Sequence, residues 1–270
     1  MSGEKIVLVT GASSGLGAAF AAELARRGHR VYGTSRQAPL SETPAPFPVV
    51  IPMDVRDERS VGRAVEYVLA REGRLDVVVN NAGVGLGGAV EDTTPAEALE
   101  MFETNFFGVH RVCRAVLPAM RAEGRGLVVN VGSIAGEISI PFQAFYSATK
   151  AALAALTEAL RIEVRPFGID VTLLEPGDFR TGFTANRKLV ATTNDAYRSR
   201  CGRAIEVMER DERNGADPDS LARLLARLVG EAPPRPRYVA GLAAQRLAVL
   251  VKRLAPARFS ERLLAAYYGV

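Results

Sequence analysis

A tyrosine and a lysine stand four positions apart in a stretch with helical spacing. Tyr146 and Lys150 would lie on one face of a helix, one turn from each other. A free phenol titrates near ~10, so it exchanges protons poorly at neutral pH. A cation held within several ångström favours the phenolate and lowers the phenol pKa. The pair therefore predicts an acid/base tyrosine whose pKa is lowered by the neighbouring ammonium group.

A serine is predicted to join this pair. Ser133 follows the apolar run 126–131, which is typical of a buried strand. The chain would then pass through a loop into the helix that carries Tyr146. A hydroxyl, a phenol and an amine would thus meet at the carboxyl edge of a sheet. The Tyr-x-x-x-Lys spacing alone occurs on many helices, so the rest of the chain must decide whether the pair is catalytic.

Short runs rich in valine and isoleucine alternate with longer helical patterns as far as about residue 176. Unbroken apolar strands separated by helices predict a parallel sheet that is covered on both faces, with right-handed crossovers. We therefore expect an α/β fold with a single doubly wound, Rossmann-type domain over residues 1–270 and about seven strands. The predicted strands are 6–10, 30–35, 49–53, 75–80, 127–131, 169–174 and 237–239, and the predicted helices are 15–27, 58–71, 95–121 and 145–165.

Two later segments depart from this alternation. Residues 178–218 are polar, with aromatic residues among charges and no clean period, and we expect a mobile substrate lid with some helix. Residues 243–270 are expected to form a helical extension. The stretch 235–262 holds seven Arg or Lys and a single Glu among Leu, Val and Ala. Such a face could contact an anionic membrane surface, although packing on the protein body or on a neighbouring subunit is favoured.

Composition argues against several functional classes. The two cysteines (Cys113 and Cys201) and the two histidines (His29 and His110) have no metal-binding or redox spacing, so no metal site is expected. Residues 1–5 leave no room for a secretory signal, and no apolar run approaches the ~20 residues of a membrane span, which predicts a cytoplasmic protein. The net charge of +4 permits an anionic cofactor. The aromatic and basic pattern of a nucleic-acid reader is missing, so no nucleic acid is expected as a partner.

A glycine-rich segment follows the first predicted strand and opens the first predicted helix. Glycines let the backbone turn tightly and let a pyrophosphate approach the helix N-terminus, where unpaired N–H groups and the helix dipole favour anions. The spacing is Gly-x-x-x-Gly-x-Gly rather than the Gly-x-Gly-x-x-Gly of most dinucleotide folds. The residues expected at the phosphates are Gly11, Ser13, Ser14, Gly15, Leu16 and Gly17.

The second predicted strand ends without an acidic residue. An NAD-specific site would need a carboxylate there to bind the ribose 2′-hydroxyl. Arg36 instead offers a planar cation to a 2′-phosphate, and Ser13, Ser14 and Ser35 supply hydroxyl donors. The sequence therefore predicts NADP(H) in preference to NAD(H).

Together with three further motifs, these features resemble the short-chain dehydrogenase/reductase family over nearly the whole chain. The resemblance implies that the Asp-Val pair after the third strand contacts adenine and that the Asn-Asn-Ala-Gly stretch after the fourth lies along the cofactor. It also implies that the Pro-Gly pair after the sixth strand, with a nearby threonine, holds the nicotinamide carboxamide. The implied cofactor residues are Asp54, Val55, Asn81, Ala82, Gly83, Pro176, Gly177 and Thr181.

The resemblance also implies a catalytic tetrad of Asn105, Ser133, Tyr146 and Lys150. Hydride would pass between the nicotinamide C4 and a carbonyl or alcohol carbon, with Tyr146 as the general acid or base. Ser133 would orient the carbonyl, and Lys150 would also hold the ribose hydroxyls. Asn105 would fix a water that links Lys150 to solvent.

One residue departs from the family pattern. Phe179, two residues after the Pro-Gly pair, takes the place of a small branched aliphatic residue. A backbone contact to the carboxamide would survive this change, and the ring would add a bulky wall to the substrate pocket. The other expected substrate residues are Ala135, Ile138, Phe142 and Phe183.

These side chains make the predicted pocket apolar, and no cluster of Arg or Lys stands there for a phosphate or carboxylate. A lipophilic ketone or secondary alcohol is therefore the expected substrate. The run 104–183 most resembles family members that act on hydroxysteroids, retinoids and similar bulky carbonyls. A homodimer or homotetramer through the helices 95–121 and 145–165 is implied by the same resemblance.

Two other functions stay open. A 3-ketoacyl-thioester reductase usually ends soon after its last strand, whereas here about thirty residues follow the segment 237–241. An NADP(H)-binding sensor or regulatory protein of this fold generally lacks a tetrad residue, and this chain keeps all four.

Overall fold

Seven of the strands form one parallel sheet in the computed structural model, which describes residues 3–38, 48–230 and 233–270. Their order is β3-β2-β1-β4-β6-β7-β9, and it reverses direction between β1 and β4, as in a doubly wound fold. The short strands β5 and β8 pair with each other and form a separate two-stranded sheet. The strands are β1 (Ile6–Val9), β2 (Arg30–Ser35), β3 (Val49–Pro52), β4 (Val77–Asn80), β5 (Leu86–Gly87), β6 (Gly126–Val131), β7 (Ile169–Pro176), β8 (Lys188–Leu189) and β9 (Arg237–Ala240).

Helices cover both faces of this sheet. On one face α2, α4 and α5 contribute to an apolar core, and on the other face α1 and α8 do so. Strand β4 is buried along its whole length, which explains its three successive valines. The helices are α1 (Gly15–Arg26), α2 (Glu58–Glu72), α3 (Pro95–Phe102), α4 (Gly108–Ala122), α5 (Ala144–Val164), α6 (Phe183–Asn186), α7 (Asp195–Arg213), α8 (Pro218–Gly230), α9 (Ala243–Leu254) and α10 (Ala257–Tyr268).

A polar ladder ties the centre of the sheet to α5. The register sets Asn80 of β4 opposite Asn130 of β6. The Asn80 Nδ2 donates to the Asn130 Oδ1 at 2.8 Å, and the Asn130 Nδ2 donates to the Thr157 Oγ1 at 2.9 Å. Because buried amides are costly unless they are paired, this ladder fixes α5 relative to the ends of β4 and β6.

The predicted fold class is confirmed, and the boundaries differ by a few residues at most strands. The predicted helix 95–121 is not uniform, because a π-helical segment, Glu103–Phe107, separates α3 from α4. Such segments occur mostly as single turns and often at functional sites. Helix α8 was not predicted, although Leu221, Leu225 and Leu228 are fully buried on one of its faces.

The predicted lid and extension contain regular structure. Residues 178–218 hold α6, β8 and the nineteen-residue helix α7. Residues 243–270 hold α9 and α10. Their separate roles as lid and extension stay predictions. None of the helices in the described ranges combines the length and the apolar character that a membrane span needs.

Candidate active site

A cavity of about 840 Å³ lies over the carboxyl ends of the sheet strands. The loops after β1, β4, β6 and β7 all contribute to its lining, because parallel strands end at the same edge. Residues of α7, α9 and α10 line its other end. The cavity therefore connects the glycine-rich segment with the predicted lid and extension.

Ser133, Tyr146 and Lys150 meet in the middle of this cavity. The Tyr146 hydroxyl is hydrogen-bonded to Ser133, whose Oγ also accepts from the Ala135 amide at 3.1 Å. The Lys150 Nζ donates to the Val131 carbonyl at 2.9 Å and lies 5.7 Å from the centre of the Tyr146 ring. The structure thus brings together the three groups that the sequence predicts at one point.

Asn105 lies behind this group, within the π-helical segment. Its side chain is 1% exposed and is absent from the residues that line the cavity. The Oδ1 accepts from the Val84 amide at 2.8 Å, and the Nδ2 donates to the Val84 carbonyl and to the Thr149 Oγ1. Thr149 in turn donates to the Tyr146 carbonyl at 2.7 Å. The Asn105 side chain therefore joins the loop after β4 to the helix that carries Tyr146.

The protonation of the pair differs from the sequence-based expectation. Burial raises the pKa of Tyr146 to about 12, and the hydrogen bond to Ser133 only partly opposes this effect. Burial also lowers the pKa of Lys150 to about 8. The predicted lowering of the phenol pKa is thus wrong for the protein alone, because desolvation outweighs a cation that is directed at a carbonyl. At neutral pH the phenol is protonated, which is the form that can donate to a carbonyl oxygen.

The glycine-rich segment has the backbone geometry of a phosphate cradle. Gly11 and Gly15 have φ values of 66° and 56°, in the region that favours glycine. A Cβ on Gly11 would lie 3.0 Å from the Ala82 Cα. The first N–H groups of α1, which follow at once, have no partners within the helix. This combination fits the pyrophosphate of a dinucleotide.

Gly17 does not line the cavity, but it lets the glycine-rich loop pack closely on α1. A Cβ there would lie 2.2 Å from the Gly11 carbonyl oxygen, so the close approach of the loop to α1 requires glycine. Asn81 completes the arrangement, because its Nδ2 donates to the carbonyls of Thr10 and Gly11 at 2.9 and 3.2 Å. The other predicted cofactor residues line the cavity, namely Ser13, Ser14, Leu16, Arg36, Asp54, Val55, Ala82, Gly83, Pro176, Gly177, Phe179 and Thr181.

Two arginines stand at the predicted adenosine end. Arg36 follows β2 and is exposed at the cavity wall. Arg56, which belongs to none of the sequence motifs, also lines the cavity and pairs with Asp54 at 2.7 Å. Its hydrogen bonds lower the pKa of Asp54, so that carboxylate is ionised and matched by a cation. Arg56 stands two residues after Asp54, which is the one signal that could have revealed it.

The substrate end differs from the prediction at one residue. Ala135, Ile138, Phe179 and Phe183 line the cavity, but Phe142 is not among its lining residues. Phe142 has a φ of 60°, and its ring packs edge-on against Tyr197 of α7, with ring centres 6.5 Å apart. The Phe142 ring therefore points towards the predicted lid. The next residue, Gln143, lines the cavity instead.

Several polar residues that line this end of the cavity belong to none of the sequence motifs. The lining includes Gln143 before Tyr146, Asp178 after the Pro-Gly pair, and Asp211 and Glu212 near the end of α7. Residues of the extension also reach the cavity, among them Ala244, Gln245, Ala248, Leu263, Leu264, Tyr267 and Tyr268. Periodicity could not show this, because it does not say which helix face meets a distant cavity.

Comparisons with known proteins agree with this arrangement. The chain matches the family model described as short chain dehydrogenase over residues 5–190. It is 42% identical over 268 residues to a 3-ketodihydrosphingosine reductase of Bacteroides thetaiotaomicron, a match that covers 98% of each chain. A short-chain dehydrogenase structure from Streptomyces avermitilis matches with a TM-score of 0.82 and 37% identity, over 100% of this chain and 97% of that chain. A short chain dehydrogenase/reductase of Burkholderia phymatum in complex with NAD matches with a TM-score of 0.77 and 26% identity, over 93% and 95%. The chain therefore belongs to the short-chain dehydrogenase/reductase family of oxidoreductases.

Proposed function

We propose that this oxidoreductase uses NADP(H) to interconvert a lipophilic ketone and its secondary alcohol. The observation that carries the proposal is one continuous cavity that joins the glycine-rich segment to Ser133 and Tyr146 and continues to an apolar wall. A bound nicotinamide would supply or accept the hydride. The protein's own residues would supply the proton and hold the reacting oxygen.

Tyr146 acts in this proposal as the general acid of reduction. Its protonated phenol would donate to the carbonyl oxygen, and Ser133 would hold that oxygen by a hydrogen bond. Lys150 stands beside the ring with a pKa of about 8, so it can exchange a proton near neutral pH. Asn105 would keep Tyr146 in place through Thr149. It would also fix the predicted water that links Lys150 to solvent.

The preference for NADP(H) rests on Arg36. It lines the cavity at the end of β2, where the sequence offers no carboxylate for a ribose 2′-hydroxyl. The relative from Burkholderia phymatum holds NAD, so the fold alone does not select the cofactor. Arg36→Asp should reverse the preference in steady-state assays with NADPH and NADH. Arg63→Asp, the same change on the exposed face of α2, serves as the control, and an unchanged preference in the Arg36 variant would refute the assignment.

The proposed substrate class draws on the lining and on one relative. Ile138, Phe179 and Phe183 give the wall its apolar character. The relative of 42% identity is a 3-ketodihydrosphingosine reductase, a name that implies a ketone substrate. A panel of ketones with NADPH tests the class. Much faster turnover of a 3-ketoacyl thioester than of long-chain and steroid ketones would support the alternative reductase instead.

We also propose that the chain works as a homodimer or homotetramer in the cytoplasm. The helices that the sequence predicts as interfaces expose large apolar side chains, with Leu99 60% and Ile162 72% exposed. The buried free thiols of Cys113 and Cys201 are compatible with a reducing compartment. Sedimentation velocity should show an oligomer that Ile162→Arg dissociates. A monomeric wild-type protein would contradict the proposal.

The C-terminal extension offers a second surface. Leu247, Leu254 and Phe259 are more than half exposed on α9 and α10. We propose that a neighbouring subunit covers this face, with an anionic membrane surface as the alternative. Leu254→Glu should shift the oligomeric state without affecting sedimentation with phosphatidylserine vesicles. Vesicle binding that the substitution abolishes would favour the membrane.

A further inference from the structure

The substrate end of the cavity carries three carboxylates in a largely apolar wall, and two of them are matched by cations. Glu212 pairs with Arg187, whose side chain is almost completely buried. Asp211 pairs with Arg210 at 2.9 Å and accepts a hydrogen bond from the Tyr267 hydroxyl at 2.6 Å. Glu212 and Asp211 therefore each have a cation partner.

Asp178 is the unmatched carboxylate of the three. Within the described part of the chain it has no cation at ion-pair distance, and its side chain accepts from the Gln245 amide. Its own backbone amide donates to the Gln245 Oε1 at 3.2 Å. Burial, together with the charges of Glu212 and Asp211, raises the pKa of Asp178 to about 6, and the hydrogen bond from Gln245 and the charge of Arg187 only partly oppose this effect. At neutral pH the cavity wall thus holds a mostly ionised carboxylate that has no cation at ion-pair distance among the described residues.

A second, independent polar group at the same cavity has no partner. Gln143 is 4% exposed and lines the cavity, and its Nε2 has no hydrogen-bond acceptor among the described residues. It lies one helical turn before Tyr146, at the start of α5. A buried amide donor without an acceptor is unfavourable unless a ligand supplies one. The cavity wall therefore offers a ligand both a carboxylate, from Asp178, and a hydrogen-bond donor, from Gln143.

The positions of these groups relative to the reacting centre are informative. The charge of Asp178 contributes to the raised pKa of Tyr146, after burial and the charge of Glu212. Asp178 also follows directly on Gly177, at the proposed nicotinamide segment. A metal ion is not the fitting ligand, because the described residues contain no group of three His, Cys, Asp or Glu side chains arranged to hold one.

We propose that Asp178 and Gln143 form a polar subsite that binds the head of the substrate. Asp178 would receive an ammonium group on the carbon next to the reacting carbonyl, and Gln143 would donate to an oxygen of the same head. Ile138 and Phe183 would contact the apolar chain. The inference rests on the proposed ketone reduction and adds that an α-amino ketone is the preferred substrate, selected by these two residues.

The test compares two ketones that differ only in the amine. For 2-aminododecan-3-one and dodecan-3-one, the ratio of kcat/KM values should exceed ten in the wild-type protein. Asp178→Asn keeps an acceptor for Gln245 but removes the charge, and it should lower this ratio about tenfold, mainly through KM. Asp195→Asn removes a charge from an exposed position on α7 and should leave the ratio unchanged. A hydroxyl group on C1 of the amino ketone should raise its kcat/KM further, because Gln143 would donate a hydrogen bond to that oxygen. Gln143→Leu should reduce this gain.

A purely structural role for Asp178 must be separated from charge recognition. Gln245→Ala removes the amide partner but keeps the carboxylate, so it should change the ratio by less than threefold. An equal loss in the Gln245 and Asp178 variants would overturn the inference, as would a wild-type ratio near one.

Failure of the proposed function would be distinct, because neither ketone would then be reduced. In that case, calorimetric titration of the holoenzyme with 2-aminododecan-3-ol still tests the subsite. It should bind about tenfold more weakly to Asp178→Asn than to the wild type. Equal affinity would refute the subsite.

Discussion

The two ends of the cavity are built from different parts of the chain. The glycine-rich end is shaped by backbone, with Gly11 and Gly15 in conformations that other residues rarely adopt. The other end is shaped by side chains from the loop after β7 and from α7, α9 and α10. A backbone surface admits few substitutions, whereas a wall of side chains can change one residue at a time. This contrast supports the proposal that the first end binds the cofactor and the second selects the substrate.

The largest expected effect lies where the two ends meet. Tyr146→Phe removes the proposed proton donor and should lower kcat by about 10²- to 10⁴-fold, the usual contribution of general acid catalysis. Cofactor binding should persist, because the ring and Lys150 remain. Single-turnover kinetics and titration with NADPH measure the two effects separately. An equal loss of both would indicate that Tyr146 supports the structure of the site rather than the chemistry.

The backbone-built end should be intolerant of a single methyl group. Gly17→Ala places a Cβ 2.2 Å from the Gly11 carbonyl oxygen, and such overpacking costs about 1–3 kcal/mol of the free energy of unfolding. Gly62→Ala is the matched control, because nothing lies within 4 Å of its Cβ position in the second turn of α2. That control should stabilise the protein by about 0.5–1 kcal/mol.

Thermal and urea unfolding measure both changes. The Gly17 variant should also lose affinity for NADPH, since its clash falls on the proposed phosphate cradle. If the two variants had the same stability, the close approach of the loop to α1 would not require glycine.

The substrate end should show a cost of holding an unmatched charge. Asp178 has a pKa of about 6 in the folded protein, against 3.8 for the free side chain. The folded state therefore binds more protons between these values, and stability falls as the pH rises from about 4 to above 6. With ~1.4 kcal/mol for each pKa unit, and allowing for partial exposure, the cost is about 1–2 kcal/mol at pH 8.

Asp178→Asn should remove this cost. The variant should unfold at higher urea concentration than the wild type at pH 8 and at the same concentration at pH 4. Lower stability of the variant at pH 8 would mean that the ionised carboxylate stabilises the fold through Gln245, contrary to our expectation.

The sequence predicted the sheet and the three meeting side chains because both depend on local patterns. Runs of β-branched residues define the strands, and helical spacing sets Tyr146 and Lys150 one turn apart. The direction of the Tyr146 pKa shift was not predictable, since it depends on how deeply the folded chain buries the phenol. Asp178 was visible in the sequence, but its lack of a cation depends on where Arg187 and Arg210 point.

The smallest expected effect concerns Phe142 and Phe183. Comparing their alanine variants tests which of the two rings contacts the substrate. Phe183 lines the cavity, with its ring centre 5.7 Å from that of Tyr146, whereas the Phe142 ring packs on Tyr197. Since burying a phenylalanine contributes about 1.5–3 kcal/mol, Phe183→Ala should raise KM for a long-chain ketone about tenfold. Phe142→Ala removes a ring of the same size that does not line the cavity, so its KM should stay within about twofold of the wild type. Its melting temperature should nevertheless fall, because the contact to α7 is lost. Similar KM values for the two variants would mean that the lid moves on binding and brings Phe142 to the substrate.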